Sequence, residues 1–220
     1  MKKYLNIDSI NKRIFKLFNN KKSYLIPLFY WDKELENDKD ILFVWLNPAW
    51  DINWFKKIWK NWISNKDMEE IKEDMNNKTE YKKYYWPYLT HFSDEKFNWN
   101  YNIIDLFPYR WTKQNDVIHE VNKNYDFFNQ QYNIFIDLVK LIEPKIIVVT
   151  NWYASKYLKN KFFNDEEQVI DYKKGFWEYK FKDKDIPIIF TGMLSWQRAM
   201  DIWSREMLKF NIHRILWLDV

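Results

Sequence analysis

Four short apolar runs organise this chain: Ile41 to Leu46 (ILFVWL), Tyr101 to Leu106 (YNIIDL), Lys145 to Thr150 (KIIVVT) and Ile186 to Thr191 (IPIIFT). Each has the length of a strand and is apolar at successive rather than alternate positions. A strand apolar on both faces is one covered on both faces, so the runs predict parallel strands buried between helices. Elsewhere the period lengthens. Ile7, Ile10, Ile14, Leu17 and Phe18 recur at helical spacing and predict an amphipathic opening helix. Phe128, Tyr132, Phe135, Leu138, Val139 and Ile142 repeat at three and four residues until Pro144 stops the pattern. Further helices are predicted from Ala154 to Lys161 and from Gln197 to Phe210. The segment QVIDYKKGFWEYKF reads as a β-hairpin turning near Gly175, and the closing RILWLDV as an edge strand. From Asp51 to Trp99 the chain is charged and aromatic without a clear period, which fits helices and long loops.

At 220 residues, with no internal repeat and no linker-like stretch, the chain is expected to form a single domain over 1–220. No apolar run approaches the roughly 18 residues that cross a bilayer. The basic start MKKYLNIDSINKRIF is not followed by the apolar block of a signal peptide. A cytoplasmic protein without membrane contact is expected. Zero cysteines exclude disulfides, thiolate metal sites and cysteine nucleophiles. With His91, His119 and His213 alone, a histidine-built metal site is not expected either, nor is any cofactor.

Glycine and tryptophan change this picture. Average usage of about 7% glycine would place roughly 15 in a chain of this length, yet there are 2, beside 14 tryptophans. Several tryptophans fall where a chain commonly needs glycine: Trp45 and Trp50 about a strand-to-loop turn, Trp111 in a loop, Trp152 between a strand and a helix. The expectation is that many of these letters are UGA codons from a lineage that reads UGA as glycine. A chain truly rich in tryptophan is the alternative.

In an open parallel sheet, ligands bind beyond the carboxyl ends of the strands. Three segments there carry unusual chemistry: WLNPAW (45–50), DLFPYR (105–110) and TGMLSWQR (191–198). Asp105 is the acid embedded in a core run, suited to act as a general base or to orient water, or equally to pair with Arg110. Asn47 before Pro48 suits an Asx-type turn, Ser195 a helix N-cap, and Gln197 and Arg198 a first helical turn. Tyr81, Tyr84, Tyr85, Trp86 and Tyr88 beside Lys82 and Lys83 mix rings with charge as a base-stacking platform would, and equally as a packed surface would. Thirty-five basic against 31 acidic side chains, a net charge of +4, permit nucleic acid without demanding it.

In order and spacing, from about Ile41 to Lys209, these segments resemble the uracil-DNA glycosylase superfamily. VWLNPAW is similar to that family's Gly-x-Asn-Pro motif after the first core strand, the more so with glycine at 45. MLS of TGMLSWQRAMD stands where the family's His-Pro-Ser motif follows the last strand, and LIEPKIIVVTNWYASKYL resembles its helix, Pro, strand, Gly, helix passage. The resemblance implies a three-layer α/β/α sandwich around a four-stranded parallel sheet. It implies a monomeric DNA glycosylase that hydrolyses the N-glycosidic bond of a damaged or deaminated base with activated water. Asn47 and Asp105 would be catalytic, Pro48 and Asn102 would border and read the base, and Ser195, Gln197 and Arg198 would hold the DNA phosphate at a helix amino terminus. The chain departs from the family at Met193, where a histidine would stand, and at Leu194 for its proline. Those departures open the alternative of a non-catalytic protein of the same fold that binds nucleic acid or a nucleobase.

Overall fold

A computed structural model describes residues 5–19, 30, 40–46, 100–109, 113–163, 174–181, 184–193 and 200–217. Among them are five helices, α1 (Ile7–Asn19), α2 (Gln114–Lys123), α3 (Tyr125–Ile142), α4 (Trp152–Phe163) and α5 (Ile202–Trp217). There are five strands, β1 (Ile41–Trp45), β2 (Tyr101–Asp105), β3 (Ile146–Val149), β4 (Trp177–Phe181) and β5 (Lys184–Phe190), in one sheet of order β2-β1-β3-β5-β4. The protein is thus α/β with a mostly parallel sheet, and four of its strands are the four apolar runs. The fifth, β4, corrects the expected count of four. The chain divides into two compact units, the boundary in β2 falling between Ile104 and Asp105.

One unit holds the sheet up to Ile104, α4 and α5. Here β1 pairs with β3 in parallel, Phe43 beside Val148, and β3 pairs with β5 in parallel, Val148 beside Ile189. Backbone bonds join the strand starts: Asp40 and Ile41 N–H donate to Asn100 C=O, and Lys145 and Ile146 N–H donate to Asp40 C=O. With its start joined in this way to that of its neighbour β1, β2 runs alongside β1 in the same direction, and the Tyr101 ring meets that of Phe43 at 5.7 Å. Beneath one face, Leu208, Ile212 and Ile215 of α5 pack with Ile41, Phe43, Ile146, Val148 and Phe176. Their spacing of four and three residues is the buried stripe of a helix. On the opposite face α4 lies over the β4–β5 hairpin, with Phe162 stacked on Tyr179 at 4.0 Å. The Lys159 ammonium sits 4.2 Å from the Trp177 ring centre, and burial pulls its pKa down. Continuous apolar strands follow from this sandwiching, because both faces of each are covered.

Pro187 lies inside β5, one residue before the first position paired with β3, Ile188, and opposite Glu178 of β4. The turn at Gly175 exists, with φ of +77°, and the arm that follows it, β4, pairs antiparallel with β5; the other arm of the expected hairpin, residues 168–173, lies outside the described residues. One other expectation is corrected. The end of the chain through Trp217 is helical rather than an edge strand, since Leu208, Ile212 and Ile215 share one helical face. The last helix begins at Ile202, where Asp201 caps it: its Oδ1 accepts from Ser204 N–H at 2.9 Å and its Oδ2 from the Ser204 hydroxyl at 2.7 Å; the expected start, Gln197, lies outside the described residues.

The other unit contains α1, Tyr30 and the chain from Asp105 through α2 and α3. Its core is aromatic: Phe18, Phe107, Tyr109, Phe127 and Phe128 meet in edge-on and stacked pairs, Phe107 and Phe128 at 4.9 Å. Arg13 and Asp137 form an ion pair between α1 and α3. Helix α3 ends as expected before Pro144, and Glu143 takes the left-handed conformation, φ 49°, that commonly closes a helix. Helix α2 is not announced by the sequence pattern: it buries only Val117 and Val121, too few to mark a period.

Candidate functional site

The carboxyl ends of the strands are where an open sheet of this kind takes its ligand. In the sheet unit, Thr150 N–H donates to Val44 C=O at 2.9 Å and Thr191 N–H to Val149 C=O at 2.8 Å, aligning the ends of β1, β3 and β5. Beyond β3, Asn151 starts α4: its Oδ1 accepts from Tyr153 and Ala154 N–H at 2.9 and 3.1 Å. That side chain satisfies amides which would otherwise attract an anion. The Ser155 hydroxyl in the same turn is buried with no partner among the described residues. Beyond β5, Met193 C=O accepts from Met200 N–H at 2.8 Å, so the residue in the histidine's expected place offers an aliphatic thioether and a backbone carbonyl already engaged.

Asp105 is the last residue of β2 and only 2% exposed. It precedes a bend through Leu106 and Phe107, both fully buried, so the chain on its far side is held by packing. Its backbone carbonyl accepts from the Tyr30 hydroxyl at 3.2 Å. Asn102 is also buried, at 4% exposure, and its Nδ2 donates to no acceptor among the described residues. The strand separates the two. Side chains three apart on a strand point to opposite faces, and three residues span about 10 Å. Asn102 lies that far back from the strand's end, among residues that wall the sheet, whereas Asp105 stands at the end itself. The two do not converge on one atom.

Asn47, Pro48, Ser195, Gln197 and Arg198 lie outside the described residues, as do Arg110, Trp111, His91 and the tyrosine-rich segment from Tyr81 to Tyr88. The capping of α5 does bear on the anion argument. A carboxylate, that of Asp201, stands at the amino terminus of the last helix, and hydrogen bonds from Ser204 hold its pKa below the usual value. His213 stacks on Trp217 at 5.4 Å and His119 is exposed on α2. Among the described residues no three His, Cys, Asp or Glu side chains are grouped to hold a metal, and no helix is long and apolar enough to cross a membrane. Tyr101, which packs beside Phe43, has its pKa pushed up to about 12 by burial.

The described tryptophans correct one part of the glycine expectation. Among described residues only Glu143 and Gly175 have positive φ, so Trp45 and Trp152 occupy ordinary backbone that any residue adopts. Their environment is another matter: Trp152, Trp203 and Trp217 are 51%, 82% and 67% exposed, an unusual placement for so large an apolar ring. No family model matches this chain, and no curated protein matches it.

Proposed function

We propose that this protein is a glycosidic hydrolase acting on a damaged or deaminated base in DNA, with Asp105 as the group that activates water. In this reaction the water oxygen bonds to the sugar's anomeric carbon as the carbon–nitrogen bond breaks. The base leaves with the bonding electrons and takes up a proton, while Asp105 accepts one from the water. The supporting observation is a buried carboxyl at the carboxyl end of a strand in a mostly parallel sheet. The strand end is the ligand side of such sheets.

Asn47 and Pro48 follow β1 in the chain and keep the roles the resemblance implies, water orientation and pocket border. Ser195, Gln197 and Arg198 are proposed for the DNA backbone. The base-reading role falls to Asn102 only for a ligand that reaches the face of β2 away from Asp105, so Asp105 carries the proposal. Methionine at 193, where a histidine would stand, leaves no imidazole there to stabilise a departing base and favours a second reading: a nucleobase- or nucleic-acid-binding protein without turnover.

Labelled oligonucleotides containing uracil, hypoxanthine or xanthine, incubated with the protein and then cleaved at abasic sites, test both. Strand breaks lost in Asp105→Asn and Asn47→Ala support the hydrolase. Salt-dependent binding without breaks supports the binding protein, and neither breaks nor binding removes both.

A further inference from the structure

We infer that Asn11 and Tyr30 are positioning residues that aim Asp105, an assignment that rests on the hydrolytic role proposed for that acid. Asn11 belongs to the buried stripe of α1, with Ile7, Ile10, Ile14 and Phe18, and is only 1% exposed. An amide in such a stripe is unfavourable unless both its halves are hydrogen-bonded. Here both are spent on one residue: Asn11 Nδ2 donates to Tyr30 C=O at 2.6 Å, and Tyr30 N–H donates to Asn11 Oδ1 at 2.9 Å. A two-point clamp of this kind fixes the orientation of Tyr30 as well as its distance from α1.

Tyr30 is itself 3% exposed, and its hydroxyl reaches Asp105 C=O at 3.2 Å. The relay therefore runs from a helix near the start of the chain to the last peptide of β2, across sequence separations of 19 and 75 residues. Among the described residues β2 has a strand neighbour, β1, on one side. Between the tyrosine hydroxyl on one side and the buried Leu106 and Phe107 on the other, the Asp105 backbone has little freedom to turn. A phenylalanine would fill the same ring-shaped space without a buried hydroxyl; the hydroxyl's contribution is its grip on the strand end. Misplacing a reacting group by about 1 Å is enough to slow a reaction roughly 100-fold.

Tyr30→Phe, compared with the exposed-site control Tyr125→Phe, tests the assignment in the full chain. Single-turnover cleavage is expected to fall about 10- to 100-fold in Tyr30→Phe, with oligonucleotide affinity and melting temperature close to wild type. Independently of activity, the Asp105 carboxyl and backbone carbonyl and the Leu106 amide are expected to shift in NMR spectra of Tyr30→Phe and to stay in place in the control. Asn11→Ala is expected to move the same resonances, read only in protein whose circular dichroism shows the native fold. Unmoved Asp105 resonances overturn the inference whatever the activity. An active wild type with an equally active Tyr30→Phe overturns it while leaving the hydrolase intact. Wild-type protein that cleaves none of the substrates overturns the hydrolase and the catalytic purpose of the relay together.

Discussion

Gln131 stands in the middle of the buried face of α3, one turn after Phe127 and Phe128 and one turn before Ile134 and Phe135, and is fully buried. Neither its Nε2 nor its Oε1 has a hydrogen-bond partner among the described residues. Gln131→Met keeps the length and nearly the volume of the side chain while removing both polar groups. Leaving an amide buried and unsatisfied costs about 1–3 kcal/mol on the scale of protein substitutions, and replacing it with an apolar group of the same shape returns that sum. The variant is therefore expected to be more stable by about 1–3 kcal/mol. For a chain of this length each kcal/mol moves the melting temperature by about 2–4 °C, so a rise of roughly 2–12 °C should be seen by calorimetry. Urea unfolding followed by circular dichroism should show a higher midpoint with an unchanged slope. Gln131→Ala separates the two contributions: it also removes the amide but opens a cavity, and should fall below the methionine variant. A methionine variant less stable than wild type at the same slope would refute the reasoning, because it would show that the amide is satisfied in the folded protein.

Gly175→Ala places a methyl at φ of +77° and within 3.2 Å of the Arg214 guanidinium, whose Nη2 bonds Lys174 C=O; a loss of about 1–2 kcal/mol in urea unfolding is expected, and a neutral result would show that the turn relaxes. Glu143→Gly relieves a left-handed residue at the end of α3 and should raise stability by up to about 1 kcal/mol in the same assay. The Asp201 cap holds its carboxyl below the usual pKa, so its contribution is present above the unfolded carboxylate's pKa and lost as pH falls through the lower folded value. Asp201→Asn should keep α5 capped while flattening that acid-limb loss in a circular dichroism titration, and an unchanged titration would dismiss the cap as its source. If glycine is what the cell inserts at the exposed Trp152, Trp203 and Trp217, the intact mass of protein from its natural source will be lighter than the written sequence by one indolylmethyl-for-hydrogen exchange per position, and mostly UGG codons would end the idea.

The residues that hold Asp105 were not legible in advance. Asn11 looks like a polar intruder in an apolar stripe, and Tyr30 belongs to no periodic segment; each acquires meaning only when the fold brings α1, residue 30 and the end of β2 together. Asn102 shows the converse. The resemblance implied one site for it and Asp105, and the two-residue period of a strand points them to opposite faces. The helix start at Ile202 was not singled out because Ser195 and Asp201 are both good capping residues, and hydrogen bonds from Ser204 make Asp201 the cap there.

By itself the sequence determined the sheet's four parallel members, the boundaries of α1, the end of α3 before its proline, and the absence of cysteine chemistry. These depend on local hydrophobic period and on composition, which a chain carries before it folds. Tertiary structure alone decided strand order, the antiparallel pairing that sets the hairpin arm β4 beside β5, the helical end of the chain and the clamp behind Asp105. All of those are contacts between residues far apart in sequence, chosen by which buried surfaces and polar groups satisfy one another once the chain is compact.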